Sequence, residues 1–357
     1  MSTDFRPTKF EDIIGQDNVK EYLQMKIAAY KKTLNPVPHI LLLGSSGLGK
    51  TTLANVFAME LGVTFHSHMA TKIKTWEDFY NILKKVRAHD VLFIDEIHAL
   101  PPKVQEALYS VMEDFKCPLL DKNLINPITV SIPKFTLIGA TTHGGMIKGP
   151  LIGRFQYKGY LIDYNNEQLS GMAKNACRRI YGLDLPDTTA LKMASTCKRT
   201  ARNVYSMLRN LIDVAESDIR GMVFGEHLTP SMLLKTLKME RIDPYVGLDP
   251  ISRKYLTVLL RENTTLGSRT IANMINEQEI TVVYMIEPFL TSEIALEFKS
   301  NNMPKIINGP FVRITPKGRV ITEAGRTYLS ICRNLQHSGW FTGENLGNLE
   351  NVYENTY

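Results

Sequence analysis

The sequence predicts an α/β chain: a parallel sheet covered by helices on both faces, then an all-helical unit, then a winged helix-turn-helix. Three observations carry this. Apolar runs at 39–44, 63–69, 91–95 and 135–142 alternate with segments of helical spacing, the pattern of a parallel sheet buried on both sides. From about Asn165 to Leu237 the spacing is helical throughout. Beyond Pro244 come helical patterns near 249–262, 268–275 and 279–287, then an apolar and basic strand-turn-strand containing TPKGR. These breaks give a large α/β domain over 1–162, a helical domain over 163–240, a winged helix over 241–335 and a flexible polar tail over 336–357.

Taken in order, HILLLG is a strand ending at glycines, and TTLANVFAMELG is the helix after it. VTFHSHM is a second strand, WEDFYNILKKV has helical spacing, and VLFID is a buried strand. PKVQEALYSVMEDF is an amphipathic helix, and FTLIGATT is a further buried strand. At 357 residues the chain has room for two or three domains. With 44% hydrophobic and 22% charged residues it is a globular composition, not a disordered or collagenous one. No run approaches the roughly 18 apolar residues of a membrane span, and the polar amino end is not a secretory leader. The four cysteines, Cys117, Cys177, Cys197 and Cys332, are far apart, as expected of free thiols in a reducing cytoplasm.

Lys and Arg exceed Asp and Glu by 42 to 36, so the location of the excess matters more than its size. Between 299 and 333 the seven cations Lys299, Lys305, Arg313, Lys317, Arg319, Arg326 and Arg333 face one acid, Glu323. Such a segment in a winged helix is a candidate DNA face.

Gly44, Ser45, Ser46, Gly47, Leu48, Gly49, Lys50 and Thr51 fit the phosphate-loop pattern G-x-x-x-x-G-K-[ST], between a strand and a helix as the motif requires. Backbone N–H groups of such a loop, through Thr52, wrap phosphate oxygens at a helix amino end. Lys50 would reach the β- and γ-phosphates of ATP, and the Thr51 hydroxyl would ligate Mg²⁺. Asp95 and Glu96 end the buried VLFID strand, where two acids require a polar site. Asp95 suits support of the Mg²⁺ waters and Glu96 the base that polarises an attacking water. His66, His68 and His98 read as ordinary hydrogen-bonded residues, because no third metal ligand accompanies them.

With these motifs in place the chain resembles the RuvB-type Holliday-junction branch-migration ATPases of the AAA+ superfamily, from about Arg6 to Ala324. RPTKFEDIIGQ resembles the family's adenine segment, which implies adenine contacts for Arg6, Pro7 and Ile14. GSSGLGKTTLA and DVLFIDEIHAL match the two nucleotide motifs. The resemblance implies a polar sensor role for Thr142, an arginine finger lent to a neighbouring subunit for Arg154 in PLIGRF, and a second sensor for Arg202 in RTAR. It makes the helical unit a lid and assigns DNA contact to Lys317, Arg319 and Arg313 of the wing. It further implies a homo-hexamer acting on duplex and four-way-junction DNA, with a junction-binding RuvA-like protein gripped through the 116–134 region. The chain departs from the family's pattern at Ile13, Ala99, His143-Gly144-Gly145, Arg199, Ala201 and a longer 291–314 segment. These departures mark a divergent member, of a kind a phage or another mobile element would carry. Two rival readings are a clamp-loader-like ATPase of replication and an ATP-switched winged-helix regulator.

Overall fold

The computed structural model describes residues 5–119, 128–218, 228–300 and 303–337. The chain forms two compact units, one ending at Gln168 and taking in Thr200–Arg202, the other made of Leu169–Arg199 and the chain from Asn203 on.

The strands of the first unit are β1 (Ile40–Leu43), β2 (Phe65–Met69), β3 (Val91–Asp95), β4 (Lys116–Leu119), β5 (Ile128–Ser131), β6 (Thr136–Thr141) and β7 (Tyr157–Tyr160). Five of them make one parallel sheet in the order β2-β3-β6-β1-β7. The four strands expected from apolar runs are all present. The fifth, β7, was not legible, because YKGY is a polar edge strand with one buried residue, Gly159. Helices α1 (Asp17–Thr33), α2 (Lys50–Leu61), α3 (Trp76–Leu83), α4 (Pro102–Glu113) and α5 (Gly149–Gly153) accompany the sheet. Their ends follow local chemistry. Thr75 and Asp78 cap α3 reciprocally, each side chain accepting the other's backbone N–H. Pro102 opens α4, where its missing N–H costs nothing.

Strands β4 and β5 pair antiparallel as a separate hairpin, with Lys116 opposite Ser131. The 120–127 part of the predicted partner-binding stretch lies outside the described residues.

The second unit holds α6 (Asn166–Tyr181, entered from the first unit), α7 (Asp187–Ser195), α8 (Ala201–Asp218), α9 (Pro230–Met239), α10 (Pro250–Glu262) and α11 (Ser268–Ile275). A helical stretch follows, Glu279–Thr281 and Glu287–Leu290 flanking a π turn at Val282–Ile286. The wider turn falls just ahead of Pro288, whose nitrogen has no proton to donate. Then come β8 (Ile294–Ser300), β9 (Met303–Gly309), β10 (Val312–Thr315), β11 (Gly318–Ile321) and α12 (Glu323–His337). Three helices and the β10–β11 hairpin are the predicted winged helix, and the longer 291–314 segment supplies an additional hairpin, β8–β9. Gly318 is confined by its neighbour: a Cβ there would lie 2.4 Å from Leu266 O. Leu266 exchanges backbone hydrogen bonds with Arg319. α12 runs two residues into the predicted tail, the rest of which lies outside the described residues. All four cysteines are buried thiols, none in a disulfide. Among the described residues no helix is long and apolar enough to cross a membrane.

Candidate functional site

The carboxyl ends of β1, β3 and β6 lie side by side in the sheet, the edge at which open α/β folds build sites. The loop from Gly44 to Gly49 leaves β1 and runs into α2. Gly47 and Gly49 have φ of 84° and 98°, values that only glycine adopts without strain. Lys50 is 7% exposed and donates from Nζ to the carbonyls of Gly44 (2.7 Å) and Ser45 (2.9 Å). Burial pushes its ammonium below the ordinary range, and the charges of Glu96 and Asp95 oppose that shift. Thr51 and Thr52 lie in the first turn of α2. Arg202 donates from Nη1 to Ser46 Oγ at 3.0 Å, so the predicted second sensor meets the loop.

Asp95 ends β3, and its Oδ1 accepts the Glu96 N–H at 3.0 Å. Burial, then the adjacent Glu96 charge, raise the Asp95 carboxyl above its ordinary range. Glu96 sits in the left-handed region (φ 50°, ψ 47°), uncommon for a residue with a Cβ. Its carboxylate is drawn to the end of β6. Thr142 N–H donates to Oε2 at 3.1 Å, and the Thr142 hydroxyl lies 3.1 and 3.2 Å from the two oxygens. His98 Nδ1 is 3.3 Å from Glu96 Oε2 and 2.8 Å from Thr141 Oγ1. His143 Nε2 is 3.0 Å from Thr142 Oγ1, and the two imidazole rings meet edge-on at 4.9 Å. A carboxylate, a hydroxyl hydrogen-bonded to it and a glycine-rich loop with a buried lysine are thus held at the carboxyl ends of neighbouring strands, an arrangement suited to phosphoryl transfer to water.

Known proteins share this architecture. The family profile described as the Holliday junction DNA helicase RuvB P-loop domain matches residues 5–161, and that of the RuvB C-terminal winged helix domain matches 245–297. The chain belongs to the RuvB family. It is 35% identical over 344 residues to the Holliday junction branch migration complex subunit RuvB of Campylobacter hominis, covering 96% of this chain and 94% of that protein. The corresponding subunit of Campylobacter fetus is 35% identical over 319 residues, 89% of this chain and 86% of that one. The solved Thermotoga maritima RuvB Holliday junction branch migration motor superposes with a TM-score of 0.76 at 30% identity, covering 91% of this chain and 98% of that one. Nothing in these bacterial relatives supports the expected phage origin.

Other residues singled out from RuvB resemblance are distributed as follows. Pro7 is buried, Arg6 exposed and Ile14 half-buried, in the segment leading to α1. A residue that sequence reasoning passed over ties this segment to the phosphate loop. Tyr164 donates its hydroxyl to Leu48 O at 2.7 Å, and a Cβ on Gly15 would lie 3.0 Å from its ring. Arg154 is not part of the Glu96 cluster. Its guanidinium stacks 4.3 Å from the Tyr109 ring, pairs with Glu113 at 3.1 Å and donates to Pro150 O at 2.8 Å. Its buried Nε has no hydrogen-bond partner among the described residues.

In the winged helix, Arg319 is tied to a buried acid. Its Nε and Nη2 bind both oxygens of Glu287 at 2.8 and 3.0 Å, and Glu287 is 2% exposed. Tyr255 donates to the same carboxylate at 3.0 Å. The guanidinium is therefore the counter-charge of a buried acid and holds β11 to the helical stretch ahead of it. Arg313 and Lys317 are exposed on β10 and its turn. Among the histidines, His66 is hydrogen-bonded to Asp90 at 2.9 Å as expected, whereas His98 belongs to the site.

Proposed function

We propose that this chain is an ATP-driven DNA motor that drives branch migration of Holliday junctions, working in the cytoplasm as a homo-hexameric ring. The observation that carries the reading is the grouping of Lys50, Arg202, Glu96 and Thr142 about one phosphate loop in a chain that also ends in a winged helix. ATP binds with its phosphates on the N–H groups of Gly44–Thr52 and its base near Arg6, Pro7 and Ile14. Thr51 supplies a hydroxyl and Asp95 a carboxylate, a hard-oxygen pair that fits a Mg²⁺ arriving with the triphosphate and keeping several waters. Glu96 takes the proton of a water as it attacks the γ-phosphorus, and the bond to the β-phosphate oxygen breaks. Lys50, Arg202 and Arg154 of the adjoining subunit spread the charge that develops. The partnerless Nε of Arg154 is in keeping with a group whose acceptor lies on another molecule.

Arg313 and Lys317 grip the phosphate backbone of duplex DNA, without sequence preference, as stepping along any sequence requires. The β4–β5 hairpin and the residues beyond it, 116–134, receive a junction-binding RuvA-like protein. A winged helix stands where a clamp-loader-like ATPase carries a helical collar, which weighs against the replication reading. The test is dissociation of a synthetic four-way junction with ATP, with and without a RuvA-like protein. ATP-dependent strand exchange on junctions of unrelated sequence supports the motor. Sequence-selective footprinting with negligible turnover would instead make the chain an ATP-switched regulator.

A further inference from the structure

The hydroxyl of Thr142 has one proton and two neighbours able to accept it. Glu96 offers carboxylate oxygens at 3.1 and 3.2 Å, and His143 offers Nε2 at 3.0 Å. An ionised carboxylate only accepts, whereas a neutral imidazole carries its proton on either nitrogen. With a neutral ring, the hydroxyl's contacts to Glu96 and His143 are satisfied together in one arrangement. His143 Nε2–H donates to Thr142 Oγ1, and Thr142 Oγ1–H donates to Glu96. With the proton on Nδ1 instead, Nε2 would compete with the carboxylate for the hydroxyl proton and turn the hydroxyl away. The same logic fixes His98, where a lone pair on Nδ1 would face Glu96 Oε2 at 3.3 Å, so Nδ1 is the N–H. Burial and the neighbouring His98 hold His143 below its ordinary range, which keeps its ring neutral near pH 7.

We propose that His143 is a positioning residue for ATP hydrolysis: its Nε2–H fixes the Thr142 hydroxyl so that its proton holds the Glu96 carboxylate at the end of β6. This rests on the reading of Glu96 as the base. Its new content is the identity of the group that sets that base's orientation. The contact that carries this effect is the hydrogen bond between His143 and the Thr142 hydroxyl. Loss of the imidazole frees the hydroxyl to rotate and lets the carboxylate leave the in-line water, which lowers turnover without weakening ATP binding.

The test uses the full chain with duplex DNA. His143→Phe keeps a ring beside His98 but removes both nitrogens. It should lower kcat about tenfold, the scale of misaligning one hydrogen bond to a charged group, with unchanged KM and unchanged affinity for a fluorescent ATP analogue. His143→Gln, which returns an N–H donor at similar reach, should recover most of the loss. In a Thr142→Val background, His143→Phe should cost nothing further, because the hydroxyl it orients is already gone. A purely structural role would instead lower turnover in both backgrounds. Nitrogen-15 spectra of the histidine rings give a measurement that needs no variant to fold well: His143 should show the Nε2–H tautomer. Normal turnover by His143→Phe beside an inactive Glu96→Gln protein overturns the proposal and leaves the base assignment standing. So do full additivity with Thr142→Val and an Nδ1–H tautomer. Normal turnover by Glu96→Gln removes the base assignment, and the proposal goes with it.

Discussion

Arg319 and the pair Arg313 and Lys317 are three cations of one hairpin, the first tied to a buried acid and the other two exposed, a difference that a single set of measurements reads. Replacing Arg319 by Ala leaves Glu287, 2% exposed, with the Tyr255 hydroxyl as its remaining partner of this network. Stranding one member of a buried ion pair costs about 3–5 kcal/mol, and with Arg319 itself 17% exposed the lower end is expected. Arg319→Met with Glu287→Leu removes both charges together. It should recover all but about 1 kcal/mol, the share of a Tyr255 hydroxyl deprived of its acceptor. Arg313→Ala with Lys317→Ala should leave stability within about 0.5 kcal/mol, because both side chains are exposed. That double change should instead flatten the slope of log affinity against log salt by about 1.8, two phosphate contacts at about 0.9 each, equally on unrelated duplexes. Urea unfolding and fluorescence anisotropy across a salt series measure the two quantities. If Arg319→Ala kept its urea midpoint and flattened the salt slope, the assignment of Arg319 as a strut would be wrong.

Glu96→Gln keeps size and hydrogen bonding but cannot take a proton, so ATP should bind normally and turn over at least about 10²-fold slower in a phosphate-release assay. If Arg154 works across a subunit boundary, mixing inactive Arg154→Ala and Glu96→Gln proteins should restore some hydrolysis; undiminished ATPase in assembled Arg154→Ala alone rules the finger out. His39, buried between Met112 O and Leu137 N–H, is held down from 6.5 to about 4 by burial. The unfolded chain therefore binds a proton that the native one refuses as pH falls through that window, and up to about 3 kcal/mol of stability is lost between pH 6.5 and 4. His39→Gln retains a donor and an acceptor and should flatten the dependence of the urea midpoint on pH over the same interval.

The parts of the fold and site that were legible are those in which local chemistry dictates residue type. A loop that wraps phosphates must spare its Cβ atoms, so Gly47 and Gly49 announce themselves in the sequence, with Lys50 at a fixed spacing behind them. Two acids after a buried strand are equally conspicuous. What escaped depends on distant neighbours. His98 and Thr141 are 43 residues apart, Glu96 and Thr142 are 46 apart, and Tyr164 reaches Leu48 across 116. A count of charges likewise does not see that Arg319 is paired with Glu287, 32 residues earlier. The β8–β9 hairpin lay in a stretch marked only as longer than usual, where alternation is too weak to set a register.

The chain passes between its two compact units in the short stretch around 199–203. Arg202 belongs with the phosphate loop through Ser46. Three residues earlier, Arg199 donates to Glu293 O at 2.5 Å, at the start of the segment that builds the added hairpin. Lys198 next to it pairs with Asp249 at 2.5 Å and donates to Ser252 at 3.1 Å, at the amino end of α10. Lys198 and Arg199 both lie in the left-handed region, φ 45° and 57°, an arrangement that residues with a Cβ hold only where surrounding contacts enforce it. On the other side, Gly247 approaches so closely that a Cβ would lie 1.8 Å from Thr196 O. The helical region and the winged helix are therefore bound by one ion pair, by hydrogen bonds and by a backbone approach only glycine permits. This gives a physical reason for the two to move as one piece.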